Sequence, residues 1–222
     1  MKAEEILARV DHTLLKPTAK WADIRRVCEE ALTYHTATVM VPSCFVAKIR
    51  KTYGDQLTIA TVVGFPNGNC STEAKLAETG QAIADGASEI DMVINIGMLK
   101  AGETDYVTRE IRKLKSLCEG RVLKVIVETC YLTEAEKIAA CKCVTEGSAD
   151  FIKTSTGFGT AGAKLADIEL FKQHIGPNVQ MKAAGGIHTR EEMEAFLAAG
   201  CTRLGASAAV KVLKDEVQDV QK

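Results

Sequence analysis

Short apolar runs alternate along this chain with longer stretches whose apolar residues recur every three or four positions. The short runs include Val10-Asp11-His12-Thr13-Leu14-Leu15, Thr36 to Val41, Leu57 to Val63, Glu89 to Ile94 and Val122 to Glu128. They continue with Ala149 to Lys153, the Val179-Gln180-Met181-Lys182 run and Thr202 to Gly205. Their length and β-branched content predict strands, several of them apolar on both faces. Between them the helical spacing of Trp21, Ile24, Val27, Cys28, Ala31 and Leu32 predicts a helix from Thr18 to Tyr34. Further helices are predicted over Phe45 to Tyr53, from a Ser71 cap to Asp85-Gly86, and over Asp105 to Cys118. Thr133 and Thr189 open two more, ending at Gly147 and Gly200, and Leu165 to His174 and Ser207 to Val220 complete the set. Lys2 to Ala8 reads as a short leading helix.

Eight strands, each followed by a helix, imply parallel pairing through crossovers and point to a closed (β/α)8 TIM barrel with a short N-terminal helix. An open doubly wound sheet is the alternative. No Pro-, Ser- or Gly-rich linker interrupts the pattern, so residues 1–222 are expected to form one domain.

Composition narrows the function classes. At 222 residues, 46% hydrophobic and 26% charged, with a formal charge of -1, the chain has the balance of a globular protein. It has no general attraction for nucleic acid or an anionic membrane. No apolar leader or membrane-length run is present, and a cytoplasmic location is expected. The eight cysteines form no CxxC and read as reduced thiols. The four histidines show no metal-binding spacing, and no P-loop or dinucleotide fingerprint sits at a first strand, so neither metal nor cofactor is expected.

In a barrel of this kind, active sites form where strands end and helices begin. Asp11, Asp91, Glu128, Lys153 and Lys182 all fall inside or at the C-terminal ends of predicted strands. Lys153 ends an apolar run and precedes Thr154-Ser155-Thr156-Gly157; Lys182 precedes Ala183-Ala184-Gly185-Gly186. A lysine there is either an exposed edge charge or a buried amine. Burial and a second cation both favour the neutral, nucleophilic form. Moving a lysine from about 10.4 to about 7 takes roughly 4–5 kcal/mol. Lys124 is a third candidate, expected nearer the start of its strand and paired with a carboxylate low in the barrel. Asp91, interrupting Ile90–Ile94, reads either as an ion-pair partner for Lys124, Lys153 or Lys182 or as a group that moves protons between amine and carbonyl. The Gly185-Gly186 and Leu204-Gly205-Ala206-Ser207 turns follow the seventh and eighth strands, a frequent phosphate site in barrels.

Asp150-Phe151-Ile152-Lys153-Thr154-Ser155-Thr156-Gly157, taken with Val10–Leu15, Glu89–Asn95, Lys124–Thr129 and Lys182–Ile187, resembles the deoxyribose-phosphate aldolase family. The resemblance runs in order from about residue 8 to about residue 210. It implies a metal-independent class I aldolase acting on a sugar phosphate and acetaldehyde without a cofactor, and a homodimer. It places the Schiff-base lysine on Lys153, the helper lysine on Lys182 and the proton-relay aspartate on Asp91. The phosphate turns fall on Gly185, Gly186, Gly205 and Ser207, with Asp11 and Thr156 near the substrate. Val39 and Val41 depart from the cysteine and asparagine that many members carry beside the proline. Phe158 stands where some carry lysine.

Two other readings use the same residues. One is another lysine-dependent aldolase or transaldolase acting on a longer sugar phosphate. The other is a barrel that only binds a phosphorylated metabolite, its lysines serving as counter-charges.

Overall fold

The computed structural model describes residues 1–220, with side chains to residue 217; residues 221–222, the end of the predicted domain, lie outside the described residues. Eight strands run β1 (Val10–Thr13), β2 (Thr38–Val41), β3 (Ile59–Val63) and β4 (Glu89–Val93), then β5 (Val122–Ile126), β6 (Phe151–Lys153), β7 (Gln180–Ala184) and β8 (Arg203–Gly205). Each pairs parallel with the next. Val10 against Leu204 and Asp11 against Gly205 close β8 onto β1, making a barrel rather than an open sheet.

The helices form an outer ring. After the leading α1 (Ala3–Leu7) come α2 (Trp21–Thr33), α3 (Val46–Tyr53), α4 (Thr72–Ala84), α5 (Ile96–Lys100) and α6 (Thr104–Leu117). They are followed by α7 (Glu134–Glu146), α8 (Leu165–His174), α9 (Arg190–Ala198) and α10 (Ala209–Val220). The expected caps of α4, α7 and α9 are made: Ser71, Thr133 and Thr189 accept the N–H groups of Ala74, Glu136 and Glu192. In α7 and α9 the acidic residue at the third position reaches back to the cap backbone, satisfying a second free donor.

Strand ends shift by up to two residues from the sequence pattern, and three helices differ from it. The second helix starts at Trp21 rather than Thr18, because Ala19 N–H turns back onto Lys16 O and the Asp23 carboxylate takes the Lys20 N–H. The last helix begins at Ala209, two residues after Ser207. The five-residue α5, capped by Asn95 on Met98 N–H, is too short to leave a helical period in the sequence.

Alternation along the strands divides the core. Val10, Val39, Val41, Ile90, Leu123, Val125, Ile152 and Leu204 pack outward with helix residues such as Ile24, Ile111 and Phe171 in one buried cluster. Met40, Ala60 and Val62 form a small separate apolar cluster. Much of the remaining interior is charged, an arrangement that would be destabilising without near-complete pairing. Among the described residues, no helix is long and apolar enough to cross a membrane.

Candidate active site

Parallel register brings the charged residues of six strands into one layer. Asp91 lies opposite Lys124, Lys153 opposite Lys182, and Lys182 opposite Arg203. Lys153 Nζ and Lys182 Nζ each donate to Asp91 Oδ2 at 2.8 Å, while Lys124 Nζ donates to Oδ1 at 2.7 Å. Lys182 also contacts Asp11 Oδ2, and Arg203 joins Asp11 Oδ1 at 2.6 Å to Glu89 at 2.9 Å. Lys124 reaches Glu89 at 2.6 Å and Asp11 at 3.5 Å.

Four cations, Lys124, Lys153, Lys182 and Arg203, thus face three carboxylates, Asp11, Glu89 and Asp91. Loss of one proton makes the group neutral. Burial pushes the Lys153 amine down, Asp91 pulls it part of the way back, and Lys182 and then Lys124 push it down again, to about 8 from an ordinary 10.5. Burial is therefore the leading cause and Lys182 a lesser one. Lys124 goes the other way: burial opposes its charge, but Asp11, Asp91 and Glu89 outweigh burial and raise it above the usual lysine range. Burial likewise works against the charge on Asp91, yet Lys124, Lys153 and Lys182 together hold that carboxyl well below the usual range. Between Lys124 and Lys153, the proton is therefore lost more readily from Lys153.

A cavity of about 410 Å³ opens onto this layer at the C-terminal ends of the strands, lined by Lys153, Thr156, Gly185, Gly186, Gly205 and Ser207. Two hollows of about 580 and 610 Å³ lie on the helix ring beside Arg190 and Arg112, away from the buried charges. The cavity at Lys153 joins an amine to glycine turns and is the one suited to chemistry. Gly185 and Gly186 have φ of 81° and 73°, which only glycine adopts readily. Gly205 has a second constraint: a Cβ there would stand 2.8 Å from Ala184 Cβ and 3.3 Å from Lys182 Cε.

Of the residues predicted from sequence, Lys153, Lys182 and Asp91 come together, and Thr156, Gly185, Gly186, Gly205 and Ser207 line one cavity. Asp11 is placed differently from the expectation. Fully buried, with its oxygens taken by Lys182 and Arg203, it belongs to the charge layer under the cavity and not to the cavity wall. Lys124 sits at the middle of β5 and not near its start; it pairs with Glu89 at the start of β4, as expected, and with Asp91 in the same network. Glu89 and Arg203 went unremarked, although each lies two positions before a site residue, Asp91 and Gly205, and hence on the same strand face. Lys16 and His188 on the cavity wall come from loops, where no periodicity marks them.

Val39 and Val41 point outward into the buried ring, so their departure from the family pattern lies away from the cavity. Phe158 stands at the mouth, edge-on to Phe65 with centroids 5.3 Å apart. Among the described residues, no three His, Cys, Asp or Glu side chains gather to hold a metal ion.

Residues 6–213 match the profile of the DeoC/LacD family aldolases. A Clostridium botulinum protein named deoxyribose-phosphate aldolase (strain Alaska E43) is 60% identical over 216 residues, 97% of this chain and 98% of that protein. A Streptococcus pyogenes protein of the same name (serotype M4) is 48% identical over 97% of each. The tetrameric deoxyribose phosphate aldolase from Aeropyrum pernix superposes with a TM-score of 0.90 at 29% identity, covering 96% of this chain and 92% of that one.

Proposed function

We propose that this chain, which belongs to the DeoC/LacD aldolase family, reversibly cleaves 2-deoxy-D-ribose 5-phosphate to acetaldehyde and D-glyceraldehyde 3-phosphate, with the carbonyl carbon carried as an imine on Lys153. The observation that supports this reading is a buried amine held at about 8, facing a cavity and sharing one carboxylate oxygen with a second lysine. At pH 7 about one such amine in ten is neutral, against fewer than roughly one in a thousand for an ordinary lysine. That is a gain of about two orders of magnitude in nucleophile before any positioning effect.

The neutral Lys153 amine adds to the C1 aldehyde and gives a carbinolamine. Protonation of the carbinolamine hydroxyl and its departure as water leave a protonated imine, which accepts the electron pair of the C2–C3 bond as it breaks. The C3 hydroxyl gives up its proton, D-glyceraldehyde 3-phosphate departs, and the enamine left on Lys153 takes a proton at C2. Hydrolysis then releases acetaldehyde. Asp91 shuttles protons in the carbinolamine and enamine steps through water. It is too strongly ionised in the free protein to carry a proton for long, but turning Lys153 into a neutral carbinolamine removes one of the cations that hold it so. Lys182 remains the cation beside the reacting nitrogen.

Gly185, Gly186, Gly205 and Ser207 take the phosphate with backbone N–H groups and a hydroxyl. Remote binding then holds the aldehyde against the amine, so removing the phosphate lowers turnover as well as affinity. The 222 residues act as one catalytic domain, assembled as a homodimer in the cytoplasm. Sedimentation velocity tests the dimer.

Acetaldehyde with borohydride, followed by peptide mapping, tests the imine. A reduced two-carbon adduct on Lys153 is expected. An adduct solely on another lysine, or none, would overturn the reading.

A further inference from the structure

Glu128 is a buried carboxylate that the imine chemistry above does not use. It stands two residues past the end of β5, where the ladder to the Lys153 strand continues: Val127 N–H donates to Lys153 O at 3.0 Å and Thr129 N–H to Thr154 O at 2.9 Å. Its backbone is left-handed, φ 55° and ψ 67°, a conformation unfavourable for a residue with a side chain. The side chain is 1% exposed and, among the described residues, has no cationic partner.

Its partners come almost wholly from one residue. Thr156 N–H lies 3.2 Å from both Oε1 and Oε2, and the Thr156 hydroxyl donates to Oε2; the Cys130 thiol is a weak fourth donor at 3.8 Å. Phe158 N–H in turn donates to Thr156 Oγ1 at 3.0 Å. The loop is moulded on this group, since a Cβ at Gly159 would stand 3.1 Å from Glu128 Cδ and 2.7 Å from Cys130 Sγ. Thr156 lines the Lys153 cavity, and Glu128 meets it at an adjoining hollow of about 90 Å³ beside Phe158.

A hydroxyl has one hydrogen and two lone pairs. Thr156 has therefore spent its hydrogen on Glu128 and one lone pair on Phe158 N–H. What remains is one acceptor position and no donor. We propose that Glu128 is a positioning residue for the aldol step, fixing Thr156 Oγ1 as an acceptor on the cavity wall that selects acceptor aldehydes carrying a 2-hydroxyl. An aldehyde lacking that hydroxyl leaves the oxygen unpaired. Sites built to bond a substrate hydroxyl reject the analogue without it far more strongly than apolar pockets do.

This inference rests on the aldolase reading, and the test separates the two. Acetaldehyde is added to D-glyceraldehyde 3-phosphate and to 3-oxopropyl phosphate, which differ only in the 2-hydroxyl. Glu128→Ala is expected to lower kcat/KM at least about tenfold for the first and to leave the second within about threefold. Glu128→Gln, which keeps one acceptor oxygen in the same volume, loses less on the first. Joined to Thr156→Val, Glu128→Ala costs no more than Thr156→Val alone, since both remove one interaction. Borohydride trapping of acetaldehyde on Lys153 stays within about twofold throughout, because the amine is not what Glu128 serves. Equal losses on both aldehydes, additive losses in the double variant, or trapping that falls with turnover would each overturn the proposal. Should Glu128→Ala not fold, an unchanged preference in Glu128→Gln would do so. An unsubstituted protein that traps nothing on Lys153 would end the imine reading and this one together.

Discussion

Lys153 and Lys182 donate to the same oxygen, Asp91 Oδ2, each across 2.8 Å. One oxygen offers each lysine half a counter-charge, and the two ammonium groups disfavour each other. Lys182 has a further carboxylate in Asp11, whereas Lys153 has no other anion among the described residues and faces the cavity. On the proposed mechanism, this asymmetry makes Lys153 and not Lys182 the nucleophile.

Replacing Lys182 by leucine removes a cation that depresses Lys153 and leaves Asp91 with fewer rivals for it. Both changes raise the Lys153 pKa. The acid limb of kcat/KM therefore moves to higher pH, and initial rates from pH 6 to 10 measure it. An unmoved limb would remove Lys182 from the electrostatic account.

Asp91→Asn has the opposite sign on the amine, because Asp91 raises Lys153. The acid limb moves to lower pH. Even so, the rate falls by about 10²–10⁴, the range for a lost proton-transfer group. Stability falls by about 3–5 kcal/mol as buried cations lose their partner. Steady-state kinetics and urea unfolding check the two halves separately; full activity would relegate Asp91 to structure.

Stability has a pH signature as well. Between about 8 and 10.5 the unfolded chain keeps the Lys153 proton that the folded protein has lost, so this group adds stability as pH rises through that window. The gain is on the order of 3 kcal/mol. Compared with Lys153→Met, the unsubstituted protein should gain in urea-unfolding free energy over that interval. A constant difference would contradict the lowered pKa.

The fold was readable from the chain because eight apolar runs and intervening helical periods leave few topologies, and three of the helix caps are written in Ser71, Thr133 and Thr189. The site was readable in part. Lys153 and Lys182 each end an apolar run before glycines, and Asp91 breaks another, so single positions announced themselves. Asp11 and Lys124 were misplaced because sequence marks a strand without marking the depth of a residue in the barrel. That depth is set by strand tilt and by how the ladders are staggered on closure. Glu89 and Arg203 could have been found by two-residue parity, but a charge near a strand's start reads equally well as solvated. Glu128 was marked at a strand end without its partner, since only the fold brings Thr156 across to it.

A second buried pair lies outside the barrel interior. Lys75 and Glu110, both fully buried, join α4 to α6 at 2.8 Å, and Lys75 also donates to Val93 O, the last carbonyl of β4. Lys75→Met leaves Glu110 charged without a cation and should cost about 3–5 kcal/mol, lowering Tm by about 10 °C. Adding Glu110→Leu should restore most of it. Calorimetry on the two variants tests this, and equal melting of single variant and unsubstituted protein would show the pair to be dispensable.

The proposed chemistry rests on one buried amine, Lys153, giving up its proton near pH 8 instead of near 10.5. Its most direct test is the rate of reductive trapping of acetaldehyde on Lys153 as a function of pH, read by mass spectrometry of the peptide that carries it. A midpoint near 8 with label confined to Lys153 is predicted; a midpoint near the ordinary 10.5, or label spread over other lysines, would contradict it.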